Sequence, residues 1–232
     1  MNASSSADSD TKSNNIPEGG LTISQRFLKR SFDISVSFMG LLFLWPLMLV
    51  GWVLATISTR KNGLFIHERI GLHGKPFPMY KLRSMREVPG VTTTNTAGND
   101  VRITRTGKWL RKLKIDEIPQ LVNVLLGHMS FVGARPDVAG YTDVLEGDDR
   151  ILLTIRPGIT GPASLTYRYE EEILAAAENS EYRNDHVLWP HKVKINRQYI
   201  ADWSFVGDLK YIMQTFTGSP ITIAPEDFKD PS

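Results

Sequence analysis

Cysteine is absent from the 232 residues, which excludes a disulfide framework, a thiolate metal site and a cysteine nucleophile. Net charge is nearly absent as well. The 27 Lys and Arg against 25 Asp and Glu leave +2, too little to argue by itself for a nucleic-acid surface. The local gathering of basic residues beside apolar segments therefore carries more meaning than the total. No internal repeat and no nucleotide-cradling glycine loop of the Walker or Rossmann type occurs. Met1–Gly20 is polar, rich in Ser, Asn and Asp and free of aromatics, the composition of a tail rather than of a core.

What is present begins with one long apolar run, Phe32 to Ser58, long enough at helical rise to cross a hydrocarbon core of about 30 Å. Pro46 falls near its middle after Trp45, where it removes a backbone hydrogen bond and bends the helix. Basic residues flank both ends, Arg26, Lys29 and Arg30 before it and Arg60 and Lys61 after it. A spanning helix normally concentrates positive charge at its cytoplasmic end. Basic flanks on both sides fit a helix that enters, turns at the proline and leaves by the same face.

A β-like section follows, Leu64 to His67, Arg69 to Leu72 and Phe77 to Leu82, with turn chemistry at His73, Gly74 and Pro76. Lys81, Arg83 and Arg86 cluster at its end, as a solvated face or a meeting point for phosphates or lipid headgroups. Pro89 to Asp100 reads as a long loop. Lys108 to Ile115 alternates Trp109, Leu110 and Leu113 with basic residues, a short amphipathic helix suited to an anionic membrane surface or to an ordinary core contact. Two acids, Asp116 and Glu117, then stand before Pro119 and open a helix, with Asp116 expected as its N-cap and Ile118, Leu121, Val122, Leu125 and Met129 as its inward face. Arg111 and Lys114 precede the acid pair and Arg135 follows it. A polar helix is expected from about Pro136 to Leu153. The prolines and glycines of Arg156 to Pro162 predict an irregular loop, and helices are expected over Glu170 to Glu178 and within His186 to Trp203. The stretch from Gly218 is proline-rich and reads as a tail.

In order, Lys29, Arg30, Phe32, Asp33, Glu68, Arg69, Gly71, Tyr80, Lys81, Arg83, Arg102, Thr104, Gly107, Arg111, Asp116, Glu117, Pro119, Gln120, Asn123, Met129, Ser130, Gly133, Arg135, Pro136, Arg156, Pro157, Gly158, Thr160 and Gly161 resemble the motifs of the bacterial sugar transferases, the monotopic phosphoglycosyl transferase family. The resemblance runs from about Gln25 to Thr217. It implies an α+β architecture: a re-entrant membrane helix, then a compact, mostly helical catalytic domain with a small β section and interfacial amphipathic helices. The expected division is 1–24 as tail, 25–60 as membrane helix with its bend at Trp45 and Pro46, 61–218 as catalytic domain and 219–232 as tail.

The activity the resemblance implies is transfer of a phosphosugar from a UDP-sugar to polyprenol (undecaprenyl) phosphate, with UMP released. It takes place on the cytoplasmic face of a bacterial inner membrane, as a first step of surface-glycan assembly. By the same resemblance Asp116 is the nucleophile that carries the phosphosugar. Glu117, together with Asp116, holds Mg²⁺. Arg111, Arg135 and Lys81 meet phosphate, and Pro157, Gly158, Thr160 and Gly161 lie in the uridine region. Anionic lipids are implied as partners, a homodimer is allowed, and nucleic acid is excluded for want of a recognised motif. The competing reading is a membrane-anchored binding or scaffold protein of the same fold without turnover. The intact acid pair with its arginines argues against it.

Overall fold

The computed structural model describes residues 20–88 and 100–218. Residues 89–99 of the loop expected over Pro89 to Asp100, residues 1–19 of the tail expected over 1–24, and the tail expected at 219–232 lie outside the described residues. Helix α1 (Ile23–Thr59) is one unbroken element with Pro46 inside it. Thr22 caps it: its hydroxyl accepts from the Gln25 N–H while the Gln25 side chain accepts from the Thr22 N–H, so two otherwise unpaired donors are satisfied together. Arg60, at φ 57°, ends it in the left-handed conformation.

The surface of α1 is inverted relative to a soluble helix. Its buried residues are Lys29, Asp33, Ser37, Gly51, Ala55 and Thr59. Phe38, Leu42, Phe43, Trp45, Val50, Trp52 and Ile57 are exposed. Small and polar residues face the protein and large apolar ones face outward, the arrangement expected where the surrounding solvent is hydrocarbon. Periodicity of hydrophobicity finds the run. It does not find this polar seam.

Strands β1 (Leu64–Ile70) and β2 (Pro76–Leu82) form an antiparallel hairpin in which Leu64 faces Leu82 and Ile70 faces Pro76. The 3-10 turn Leu72–Gly74 joins them. Phe77 and Met79 of β2 pack with Val124 and Met129, and Leu82 packs with Ala55, Leu110 and Ile115. Helix α2 (Arg105–Lys112) is capped by Thr104. At Gly107 a Cβ would lie 1.9 Å from the Ser84 carbonyl oxygen, so the close approach of α2 to this segment requires glycine.

Helix α3 (Gln120–Leu126) follows the 3-10 turn Ile115–Glu117. The inward face differs from the apolar stripe expected from the sequence. Val122 and Leu125 are only half-buried, whereas Gln120, Leu121, Asn123 and Val124 are buried. Asn123 has a reason in β2, whose outer edge has no neighbouring strand to pair with among the described residues. The Asn123 side chain accepts from the Tyr80 N–H at 2.9 Å and donates to the Pro78 carbonyl at 2.7 Å, replacing one rung of that missing strand. Asn123→Leu therefore strands two buried backbone groups. It should cost roughly 2–5 kcal/mol and lower Tm by about 5–15 °C, as read by thermal unfolding of the detergent-solubilised protein; a shift under 2 °C would remove this bond pair from the account.

Strand β3 (Ser130–Val132) pairs in parallel with β4 (Gly158–Thr160). The loop expected at Arg156 to Pro162 thus contains a strand. Its glycines are used for close packing: a Cβ at Gly158 would sit 2.2 Å from the Gly133 nitrogen, and one at Gly161 2.2 Å from the Gly133 oxygen. The polar helix expected before it is two 3-10 turns, Thr142–Val144 and Gly147–Thr154. Short helices α4 (Pro162–Thr166), α5 (Glu170–Ala175) and α6 (Ser180–Arg183) lead to α7 (Trp189–Ala201) and α8 (Phe205–Thr217). The main apolar cluster joins Val132, Leu152, Ile155, Val193, Tyr199, Ile200 and Trp203. Lys29 of α1 is tied into this region by a 2.5 Å ion pair with Asp208, which also accepts from Tyr199 and Trp203.

Candidate active site

Lys114, at φ 57°, turns the chain out of α2 and into the 3-10 turn that carries Asp116 and Glu117. A non-glycine residue in this conformation is uncommon and clusters at functional sites. The turn runs on into α3 through i to i+3 bonds, Ile118 N–H to Ile115 O and Leu121 N–H to Ile118 O. Asp116 is not the N-cap expected from the sequence. That position in α3 belongs to Pro119, which makes no side-chain cap bond. Asp116 is instead buried, and its Oδ1 has no hydrogen-bond partner.

The electrostatics of the two acids diverge. Burial pushes the Asp116 carboxyl above the usual carboxylate range, the neighbouring Glu117 adds to this, and Lys81, Arg111 and Lys114 oppose it. With Pro119 and not Asp116 at the cap position of α3, no helix N–H bonds to Asp116 Oδ1 to offset its desolvation. Glu117 is also desolvated, but Arg135 and then Lys81 and Lys114 hold it well below the usual range. Its Oε1 lies 2.9 Å from Arg135 Nη2 and 3.4 Å from Lys81 Nζ. Burial lowers Lys81 to about 8, with Arg135 adding to the shift and Glu117 opposing it. Two adjacent carboxyls with opposite tendencies are a pattern of sites built for chemistry.

Of the residues expected from the sequence, Asp116, Glu117, Lys81 and Arg135 come together, from a turn, from β2 and from the segment after β3. Arg135 keeps about half of its side chain exposed, so it can reach a ligand as well as Glu117. Arg111 is turned elsewhere, to an ion pair with Glu171 of α5. Gly158, Thr160 and Gly161 abut Gly133 and Ala134, next to Arg135: Gly133 N–H donates to Thr160 O and Gly158 N–H to Ala134 O. Trp45 and Pro46 lie far along α1, in its exposed apolar stretch.

The sequence did not single out a surrounding ring of charge. Asp137 accepts from Thr142 at 2.6 Å, and burial raises its carboxyl to about 6. Lys192 pairs with Glu170 at 2.5 Å. The Arg30 guanidinium donates to the Val124 and Leu125 carbonyls and Arg156 to the Gly127 carbonyl, contacts that their place among the motif residues does not disclose. These two arginines satisfy the C-terminal carbonyls of α3 and oppose its dipole, fixing the element whose other end begins at the acid pair. The pairing of a cation with a helix end is a long-range contact with no signal in local spacing.

Among the described residues no group of three His, Cys, Asp or Glu could hold a metal ion alone. The unpartnered Asp116 Oδ1 beside Glu117 does fit a hard divalent cation that uses one or two carboxylates and takes its remaining ligands from water and substrate phosphates.

The family model described as bacterial sugar transferase matches residues 24–219. An undecaprenyl-phosphate galactose phosphotransferase of Salmonella typhimurium is 35% identical over 210 residues, covering 83% of this chain and 40% of the relative. An uncharacterized sugar transferase, EpsL, of Bacillus subtilis is 33% identical over 188 residues, 81% of this chain and 85% of the relative. A UDP-glucose:undecaprenyl-phosphate glucose-1-phosphate transferase of Escherichia coli is 32% identical over 196 residues, 82% and 39%. The chain thus spans about two fifths of the Salmonella and Escherichia relatives and most of the Bacillus one. With a match running from the first turn of α1 past the end of α8, and with the acid pair and its cations assembled in one place, the chain belongs to the bacterial sugar transferase family.

Proposed function

We propose that this protein transfers a phosphosugar from a UDP-sugar to a polyprenol phosphate through an intermediate on Asp116. The observation that carries the reading is the buried, unpartnered Asp116 Oδ1 next to a Glu117 already held by Lys81 and Arg135. In the first step an Asp116 oxygen attacks the sugar-bearing phosphorus. The bond from that phosphorus to the bridging oxygen breaks, UMP leaves with the oxygen, and the phosphosugar remains as an acyl phosphate. In the second, a phosphate oxygen of the polyprenol phosphate attacks the same phosphorus and frees the carboxylate, giving a polyprenyl diphosphate sugar. Splitting one displacement into two is the use of a covalent nucleophile.

Both steps bring anions together. Lys81 and Arg135 supply fixed positive charge beside the attacking oxygen, and a guanidinium offers phosphate a planar fork of donors. Arg111 joins them once its exchange partner Glu171, which is surface-exposed, is replaced by substrate phosphate; an exposed ion pair is weak enough to exchange. Asp116 and Glu117 would hold Mg²⁺, which neutralises phosphate charge when bound. The Pro157 to Gly161 segment, beside Arg135, is the assigned nucleotide region. The test is UMP release by the purified protein with undecaprenyl phosphate and UDP-glucose, UDP-galactose or UDP-N-acetylgalactosamine. Release with at least one donor, dependent on the acceptor for turnover, is expected; none with any UDP-sugar would sink the reading.

The membrane helix is assigned as re-entrant, with the body on the cytoplasmic side. Residues on both sides of Pro46 rest on the same body: Gly40 lies against Leu121, Gly51 against Leu82 and Ile115, and Ser58 meets Thr104. A straight crossing of a core of about 30 Å would carry the two ends to opposite faces. The chain has no cysteine of its own, so Arg26→Cys and Lys61→Cys report topology directly. Both should react with a membrane-impermeant maleimide only after the cells are opened. Labelling of one of them in intact cells means that the helix spans.

A further inference from the structure

Gln120 carries a second unexplained polar group in the site. Its side chain is 2% exposed, and its Nε2 has no hydrogen-bond partner. An unpaired amide in the interior costs about 1–3 kcal/mol, and its neighbours on α3 avoid that cost. Asn123, three residues on, is bonded to β2 through both its oxygen and its nitrogen. Gln120 lies three residues after Glu117, the spacing that puts two side chains on one side of a 3-10 run, and four after Asp116, about one turn along the chain. That side faces β2, since Glu117 pairs with Lys81 and Asn123 with Tyr80 and Pro78. A buried donor without an acceptor therefore stands one turn from a buried acceptor without a donor, Asp116 Oδ1.

We propose that Gln120 is a positioning residue for the nucleophile. With substrate bound, its Nε2–H donates to Asp116 Oδ1, which leaves the second carboxylate oxygen free and aimed at phosphorus. The inference rests on Asp116 being the nucleophile. In the ligand-free protein the two groups remain apart, and the interior carries both penalties. Both are relieved when the carboxylate takes up its attacking geometry, so the stabilisation is spent where it lowers the barrier.

Gln120→Leu removes the donor and fills the space with an apolar side chain of similar size, and Gln120→Met is the unbranched alternative. Each is compared with the wild type by UMP release, by single-turnover formation of the covalent adduct without acceptor, and by thermal unfolding. The expected result is kcat and adduct formation lowered roughly 10- to 100-fold, the penalty of a loosely oriented reacting group. KM for the UDP-sugar should stay within about twofold and Tm should be unchanged or higher, because removing an unpaired buried amide does not destabilise. Unchanged kcat in both variants overturns the proposal, as does a raised KM at constant kcat, which would make Gln120 a substrate contact. A fall in Tm that parallels kcat also overturns it, since Gln120 would then be a packing residue. If the wild type itself forms no adduct, the reading of Asp116 fails instead, a separate outcome.

Discussion

Asp116→Asn should abolish turnover, lowering UMP release by roughly 10⁴-fold or more, the scale seen when a covalent nucleophile is removed. The substitution is nearly isosteric, and Asp116 Oδ1 makes no hydrogen bond that the fold would lose. Burial already disfavours the charged carboxylate, so a neutral amide in its place is no burden on the folded state. The variant is therefore expected to fold with a Tm equal to or above that of the wild type, to bind UDP-sugar and to fail only in chemistry. A structural role would produce the reverse, lower stability with residual activity. The combination of retained fold and lost rate is what separates the enzyme from the membrane-anchored scaffold.

Glu117→Gln is expected to have the next largest effect. Glu117 holds two cations, Lys81 at 3.4 Å and Arg135 at 2.9 Å, and neutralising it leaves both without their counter-ion, Lys81 in a largely desolvated place. If charge balance were its only service, substrate phosphates could replace it, and kcat would fall little. In the present account it also helps hold Mg²⁺. The loss should then be about 10²–10³-fold in kcat, with half-saturation by Mg²⁺ moved up by roughly 10- to 100-fold. Rates measured across a Mg²⁺ titration give both numbers. Near-wild-type kcat with an unmoved Mg²⁺ dependence would leave Glu117 as a counter-ion alone.

The parts of this site that the sequence discloses are those encoded locally. Asp116, Glu117 and Pro119 announce a helix start, and Trp109 among lysines announces a basic amphipathic helix. Asp116 as a cap failed because the chain enters α3 through a 3-10 turn after a left-handed Lys114, a path that hydrophobic periodicity does not record. The resemblance supplied Lys81 and Arg135 as phosphate contacts. Their joint hold on Glu117 depends on β2 and the segment after β3 arriving at one place, and that is a property of tertiary packing. Likewise Gly158 and Gly161 read as loop residues, but they are there because two backbones approach too closely for a Cβ. Hydropathy finds α1 by its apolar residues and overlooks Lys29, Asp33 and Ser37, the seam by which the helix is held to the body.

In the reaction proposed for this protein the phosphosugar passes through Asp116. The most direct measurement is the intact mass of the protein after incubation with UDP-sugar and Mg²⁺ in the absence of polyprenol phosphate, followed by peptide mapping. A mass increase of one phosphosugar is expected on the peptide containing Asp116, lost on addition of undecaprenyl phosphate and absent from Asp116→Asn. UMP release in step with product, with no adduct on the wild type at any time and undiminished turnover in Asp116→Asn, would contradict it.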